Sequence, residues 1–383
     1  MSGESSARAI LFLVVLNVVC SVSIVTVRAD ARGRAPCAAV CAGAGHSFPP
    51  ITLLPPTPSR PPPPQVNKLL VEHYGFKFVL LLSALHFLTG FIFLRFASTD
   101  RCKLFSRADA PANTIYKLGL AGAGSIALLN YSLRLNSVGT YQIMKVAILP
   151  VVMALSVLQG VVSMPSRNEA AAAALVVVGT LICTASDVWV TMLGLLVGGA
   201  GVVSTAQYQI WQGAVQVDNN ISSTQALYLM SLPQAIITFA ASLLFETDWA
   251  SIFLRSRAFF SSGTDALAPA ASTAVPEDIW SHPYSPNEVG LIFFTCVLAV
   301  ALNYSSIAVI GRTSAVTMQF VNQLKTVLTI GMGYFMFPPP TPMPSERLMG
   351  LVGGLALVVM GVTWYSRLRA QASRVQAPRP GSG

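Results

Sequence analysis

Of 383 residues, 53% are hydrophobic and only 10% charged, and the mean hydropathy is +0.62. A soluble globular domain carries about 25% charge, so this composition excludes a water-soluble domain and indicates a chain that crosses a bilayer many times. The net charge of +9 then reads as basic cytosolic loops, not as an affinity for nucleic acid.

A membrane-spanning helix needs about 20 apolar residues. Ten are predicted: 9–27, 76–96, 115–135, 139–162, 170–187, 189–213, 224–245, 288–310, 313–337 and 347–366. The first follows Arg8 and precedes nine others, which favours a first span over a cleaved signal peptide. The joins at 136–138 and 311–312 are so short that their flanking spans must be antiparallel. Pro150, Pro233 and the run GLLVGGAGVV are tolerated inside spans, where neighbouring helices satisfy the backbone and small residues allow close contact.

Lys and Arg set the orientation. With ten spans, Arg95, Arg101, Lys103, Arg107, Lys117, Arg167, Arg312 and the tail residues Arg367, Arg369, Arg374 and Arg379 fall on one side. That side is cytosolic, and so are both termini. The loop 246–287 falls on the other side and is acidic, with Glu246, Asp248, Asp265, Glu277 and Asp278 against Arg255 and Arg257. Residues 28–65 break the pattern. They would be lumenal, yet carry Arg28, Arg32, Arg34 and Arg60 against Asp30 alone, with ten of the 25 prolines.

The expected organisation is therefore residues 1–26 with the first helix, a Pro-rich insertion at 27–65, the rest of a first five-helix repeat at 66–187, a second repeat at 188–366 with the lumenal loop 246–287, and a cytosolic tail at 367–383. Deleting 27–65 lets the first span run into Val66-Asn67-Lys68 and removes the misplaced arginines. A valine codon at Val27 begins GT, and a pyrimidine-rich run over Pro61–Pro64 ends at Gln65, whose codon can be CAG. The insertion thus reads as retained intron, with a disordered lumenal loop as the alternative.

Two stretches match each other. LNYSLRLNSVGTYQIMK (129–145) and LNYSSIAVIGRTSAVTMQFVNQLK (302–325) both begin Leu-Asn-Tyr-Ser, continue through Ser-x-x-Thr-x-Gln and end on an intramembrane lysine. The copies lie five spans apart, an odd number, so they cross the bilayer in opposite directions. That is the pattern of an inverted 5+5 repeat, whose interface near the midplane forms the substrate site. The fold class expected is an all-α membrane protein of ten transmembrane helices.

Lys145 lies about 6 residues into span 4 and Lys325 about 12 into span 9, or ~9 and ~18 Å of helix. A charge near the bilayer centre costs at least ~2.5–3.5 kcal/mol, and neither helix has an acid one turn away. Snorkelling would serve Lys145 better than the deeper Lys325. The chemical reading is a pair of ammonium groups facing a polar cavity that receives an anion, suited to a phosphate or diphosphate. Asn130, Tyr131, Tyr141, Gln142, Asn303, Tyr304, Gln319, Asn322 and Gln323 surround them in sequence, with Tyr208, Gln209, Tyr228 and Gln234 from spans 6 and 7. Such groups can read a base and a sugar, and each can equally be helix-to-helix glue.

No Ser/His/Asp set, paired intramembrane carboxylates or phosphate-cradling GxxxxGK is present, so no enzyme chemistry is visible. The six cysteines form no CxxC or Cys/His metal spacing, no cofactor is implied, and His86 reads as a packed helix residue.

The segments SLRLNSVGTYQIMKVAILPVV, YQIWQGAVQVDNNISSTQALY and IGRTSAVTMQFVNQLKTVLTI resemble the nucleotide-sugar/triose-phosphate translocator branch of the drug/metabolite transporter superfamily. The nearest likeness is to the E subgroup of solute carrier family 35 and the plant UDP-sugar carriers. The resemblance implies ten helices, alternating access, a Golgi or ER membrane, and exchange of a nucleotide sugar for a nucleoside monophosphate. The lysines of the family's fourth and ninth helices, which contact phosphates, match Lys145 and Lys325. A homodimer is compatible with it, and the lipid bilayer is the only other partner. Plastid phosphate translocators carry Lys-Arg where this chain has Lys325-Thr326, and the guanine-sugar strings FYNN and GALNK read ALYLM and VNQLK here. A UDP-sugar exchanged for UMP is therefore the leading expectation. An organic phosphate exchanger and a non-transporting membrane scaffold are the alternatives. Ala315 replaces the proline usual at the start of helix nine, which leaves that start less kinked.

Overall fold

A computed structural model describes residues 8–17, 76, 78–184, 189–247, 279–280, 282–336 and 345–376. The insertion 27–65, Asp187 and most of the loop 246–287 lie outside the described residues.

All regular structure among the described residues is helical. The helices are α1 (Arg8–Asn17), α2 (Val79–Ala97), α3 (Ala112–Leu135), α4 (Val138–Leu158), α5 (Arg167–Thr184), α6 (Met192–Asp218), α7 (Ser223–Phe245), α8 (Pro286–Arg312), α9 (Ala315–Met336) and α10 (Ser345–Gln376). Each overlaps one predicted span, α1 only over its described residues. Six, namely α2, α4, α5, α7, α8 and α10, are long and apolar enough to cross a membrane. The described part of α1 is short. The rest are diluted by polar groups: Lys117 and Arg134 in α3, Gln207, Gln209, Gln212 and Gln216 in α6, and Gln319, Asn322, Gln323 and Lys325 in α9.

Local chemistry sets the ends. Ser222 with Gln225 and Ser285 with Glu288 form capping boxes at the starts of α7 and α8, and Pro286 sits at the first helical position of α8. α4 stops at Leu158, before the predicted 162, because Gly160 adopts a φ of +67° and turns the chain. α10 continues past the predicted 366 to Gln376. Its extra turns are charged, and Arg369 ties one of them to Glu169 of α5 at 3.3 Å.

Helix contacts run α4–α6–α3–α7–α2–α8–α1–α9 and back to α4, closing on themselves. α1 joins through Asn17, whose amide donates to Ser305 at 2.8 Å and Ser306 at 2.9 Å, and through Leu13 beside Met318 and Val321. Outside this circuit α5 and α10 pack on each other and against α9. The two approach closely because small residues meet there: a Cβ on Gly179 would lie 2.7 Å from the Gly354 carbonyl oxygen. Apolar side chains of α3, α4, α5, α6, α9 and α10 form one core, and those of α2, α3, α6, α7 and α8 a second.

Candidate functional site

The matched Ser-x-x-Thr pairs occupy equivalent places. Ser137 caps α4 by accepting from the Thr140 N–H at 3.3 Å, and Ser314 precedes α9 and accepts from the Thr317 N–H at 3.1 Å. In both pairs the Ser and Thr hydroxyls lie 3.0 Å apart. These residues hold the two lysine-bearing helices at their starts. Their second contacts differ: Thr140 donates to the Trp189 carbonyl at 2.7 Å, whereas Thr317 meets the Tyr365 hydroxyl at 3.4 Å.

Beyond the caps, amides stitch the helices together. Gln319 donates to Gln209 of α6 at 2.6 Å, and Gln323 donates to the backbone carbonyl of Lys145 in α4 at 3.3 Å. Both glutamines are buried, as is Gln142, the counterpart of Gln319 in α4. The bond from Gln323 sets the turn holding Lys145 beside the turn holding Lys325, though 178 residues separate its partners. The two lysines sit about 10 and about 15 Å along their helices. Both are half-buried, and the Lys145 ammonium stands 4.8 Å from the centroid of the Tyr141 ring. Asn322 lies one turn before Lys325, and its carbonyl accepts from the Thr326 hydroxyl at 2.9 Å. The structure thus sets Lys145 on Tyr141 within α4 and joins Gln323 of α9 to the Lys145 carbonyl, while Gln319 turns to Gln209 of α6. Neutral amides and two half-buried cations on two helices in contact are groups that can receive an anion carrying hydrogen-bonding groups.

The other candidates lie elsewhere on the circuit. Tyr208 of α6 accepts from the Gln234 amide of α7, and its hydroxyl also faces the Met230 sulfur at 3.6 Å. Gly122 of α3 makes room for this pair, since a Cβ there would run into the Gln234 amide and the Tyr208 ring. Tyr228 stacks on Phe91, with centroids 5.4 Å apart, below the Arg107 guanidinium at 6.0 Å. Tyr304 packs into apolar clusters of α8, and Asn303 beside it is half-buried. Asn130 and Tyr131 line a cavity of about 550 Å³ near the end of α3, together with Arg134 and Glu246.

Two contributors were not singled out from the sequence. Asn17 is fully buried and ties α1 to the Leu-Asn-Tyr-Ser-Ser stretch of α8, and an asparagine in an apolar run was the available signal. In the sequence Glu246 reads only as an acid of the loop 246–287. It joins α7 to α2, accepting from Leu80 and Leu81, and burial pushes its pKa up against the pull of those bonds, of the Ser242 hydroxyl and of the Arg134 charge.

Comparison with known proteins gives consistent relatives. The chain is 32% identical over 305 residues to UDP-rhamnose/UDP-galactose transporter 2 of Arabidopsis thaliana, covering 78% of this chain and 77% of that one. It is 29% identical over 309 residues to UDP-xylose transporter 1 of the same plant, covering 80% of each. Nucleotide-sugar uncharacterized transporter 1, also from Arabidopsis thaliana, is 24% identical, covering 81% of this chain and 71% of that one. A solved crystal structure of a protein shares the fold with a TM-score of 0.55 at 14% identity, covering 79% of this chain and 93% of that one. No family model matches.

Proposed function

The chain belongs to the nucleotide-sugar transporter family, and we propose that it exchanges a UDP-sugar for UMP across the Golgi membrane by alternating access. It is a multi-pass membrane transporter and not an enzyme. The relatives named for UDP-xylose, UDP-rhamnose and UDP-galactose support a UDP-sugar as cargo.

The observation that carries the reading is the Gln323 bond to the Lys145 carbonyl, which sets the two lysine-bearing turns side by side. In this proposal Lys145 and Lys325 hold the diphosphate, while Tyr141, Gln142, Gln319 and Asn322 surround it. Asn303 and Tyr304 line the α8 wall. Asn130, Tyr131, Tyr208 and Tyr228 shape the route toward either end. An empty site holding two cations in low dielectric reorients poorly, so each passage is loaded, which gives strict exchange.

Ten crossings in an inverted 5+5 arrangement complete the proposal. Helix pairs support it when every helix is exchanged for the one five places on. α2–α7, α4–α9 and α5–α10 map onto themselves, α3–α6 maps onto α8–α1, α3–α7 onto α8–α2, and α4–α5 onto α9–α10. A pseudo-two-fold axis in the membrane plane produces this pattern. The basic loops on one side support an orientation with both termini in the cytosol.

Purified protein in sealed proteoliposomes tests the function. Uptake of labelled UDP-xylose or UDP-galactose should be strongly stimulated by UMP loaded inside. Uptake indifferent to internal UMP would sink the exchange, and competition by inorganic phosphate in place of UMP would establish an organic phosphate exchanger. A thermal shift that shows no stabilisation by any nucleotide or phosphate ester would favour a non-transporting scaffold.

A further inference from the structure

The two lysine-bearing helices are fastened differently. α4 starts at Val138 and α9 at Ala315. In that register Phe320 of α9 matches Ile143 of α4, and Lys325 matches Ile148. Phe320 has a stacking partner: the Tyr365 ring of α10 lies flat against it, with centroids 3.9 Å apart and planes 9° apart. Both rings are buried. The Tyr365 hydroxyl lies 3.4 Å from the Thr317 hydroxyl and accepts from Arg369 Nε at 3.1 Å. Arg369 meets Glu169 of α5 at 3.3 Å. Glu169 also accepts from the Ser166 N–H at 2.9 Å, just before α5 begins. The start of α9 is thus tied through Tyr365 to the outer pair α5 and α10. At the start of α4 the matching Thr140 bonds the Trp189 carbonyl, and Ile143 is aliphatic.

The stack decides how α9 is turned about its axis. At 3.6 residues per turn, residues five apart point about 140° apart. α10 lies outside the circuit of helices. With Phe320 held on α10, Lys325 is therefore turned toward the far side of α9. Gln319 and Gln323 then reach α6 and α4, where they bond Gln209 and the Lys145 carbonyl. An amide finds another partner if its helix rotates. Two stacked rings in a close-packed interior do not, because sliding them apart opens a void.

We propose that Tyr365 is the positioning residue for Lys325. It acts through Phe320 and touches no substrate; it fixes the rotation of α9 at which the Lys325 ammonium faces the anion. The use of that position in transport rests on the exchange proposed above, but the positioning itself does not.

The Lys325 side chain can be read directly. Reductive methylation of the full chain in lipid nanodiscs with 13C-formaldehyde puts labelled methyl groups on lysine nitrogens, and the Lys325 signal is the one that Lys325→Arg removes. Phe320→Met and Tyr365→Met abolish the stack while keeping most of the buried apolar volume. Each should shift the Lys325 signal and leave those of Lys103 and Lys117 in place. Tyr365→Phe keeps the ring and should leave all three in place. A Lys325 signal at its native position in both methionine variants overturns the proposal. So does a signal that moves in Tyr365→Phe, a result that is readable even where a methionine variant fails to fold.

Uptake supplies the readout that a merely structural residue would not move. Tyr365→Met should raise the KM for labelled UDP-galactose about 2- to 13-fold, the equivalent of one lost aromatic pair, with the maximal rate near native at equal expression. In a Lys325→Ala background it should add nothing, and a further rise there overturns the proposal. The methyl signals need no substrate, so a failure of UDP-sugar exchange leaves them readable.

Discussion

The Lys145 ammonium rests over the face of Tyr141, one turn earlier on α4, at 4.8 Å from the ring centroid. A cation over an aromatic face gains about 0.5–2 kcal/mol, the larger figure where water is excluded. Tyr141 is buried, so the ring holds the ammonium in place. Tyr141→Leu should raise the KM for UDP-sugar roughly 2- to 30-fold, and Tyr141→Phe should leave it near the native value. Initial uptake rates over a substrate series give both numbers.

Lys325→Ala, and separately Lys145→Ala, should reduce uptake by about 10- to 150-fold at native expression. That is the range for losing a hydrogen bond to a charged group, about 1.5–3 kcal/mol. Surface-corrected uptake in proteoliposomes decides it. Near-native uptake in both variants would remove the lysines from the site.

The Ser-x-x-Thr pairs are predicted to act on stability and not on substrate. Ser137→Ala and Ser314→Ala each remove a helix cap worth about 1 kcal/mol. The thermal unfolding midpoint should drop by a similar amount in both, with KM unchanged. A KM effect in either would mean that its hydroxyl reaches the substrate.

Gly122→Val should lower stability by about 1–3 kcal/mol, because the new side chain overpacks the Gln234–Tyr208 contact. Gly199→Val is the control, since a Cβ there meets nothing within 4 Å. Thermal unfolding of the two variants in the same detergent separates them.

Removing residues 27–65, so that Thr26 joins Val66, should leave expression and exchange at native levels. Uptake by the shortened chain measures this directly. Sequencing the mature transcript tests the origin of the tract, and a message containing these codons would rule out a retained intron.

Much of the architecture was legible from apolar run length, because a helix in lipid must satisfy its own backbone and so announces itself as an uninterrupted stretch. The helix ends were less legible. α6 and α10 outrun their apolar segments, because helix geometry persists into polar residues that water or an ion pair such as Arg369–Glu169 can satisfy.

The sequence by itself determined the helices seen among the described residues, the matched pair of lysine-bearing stretches and the need to place Lys145 and Lys325 against something polar. Those conclusions rest on local hydropathy and on the cost of a charge in hydrocarbon, which depend on residue type alone. Only the tertiary structure decided which polar groups meet. It set Gln323 on the Lys145 carbonyl, placed Tyr208 with Gln234, put Asn130 and Tyr131 in a cavity with Arg134, and gave Glu246 the N-terminus of α2. An amide or a carboxylate can bond any donor or acceptor in reach, so its partner is a matter of which helices pack together and at what height, and no local pattern encodes that.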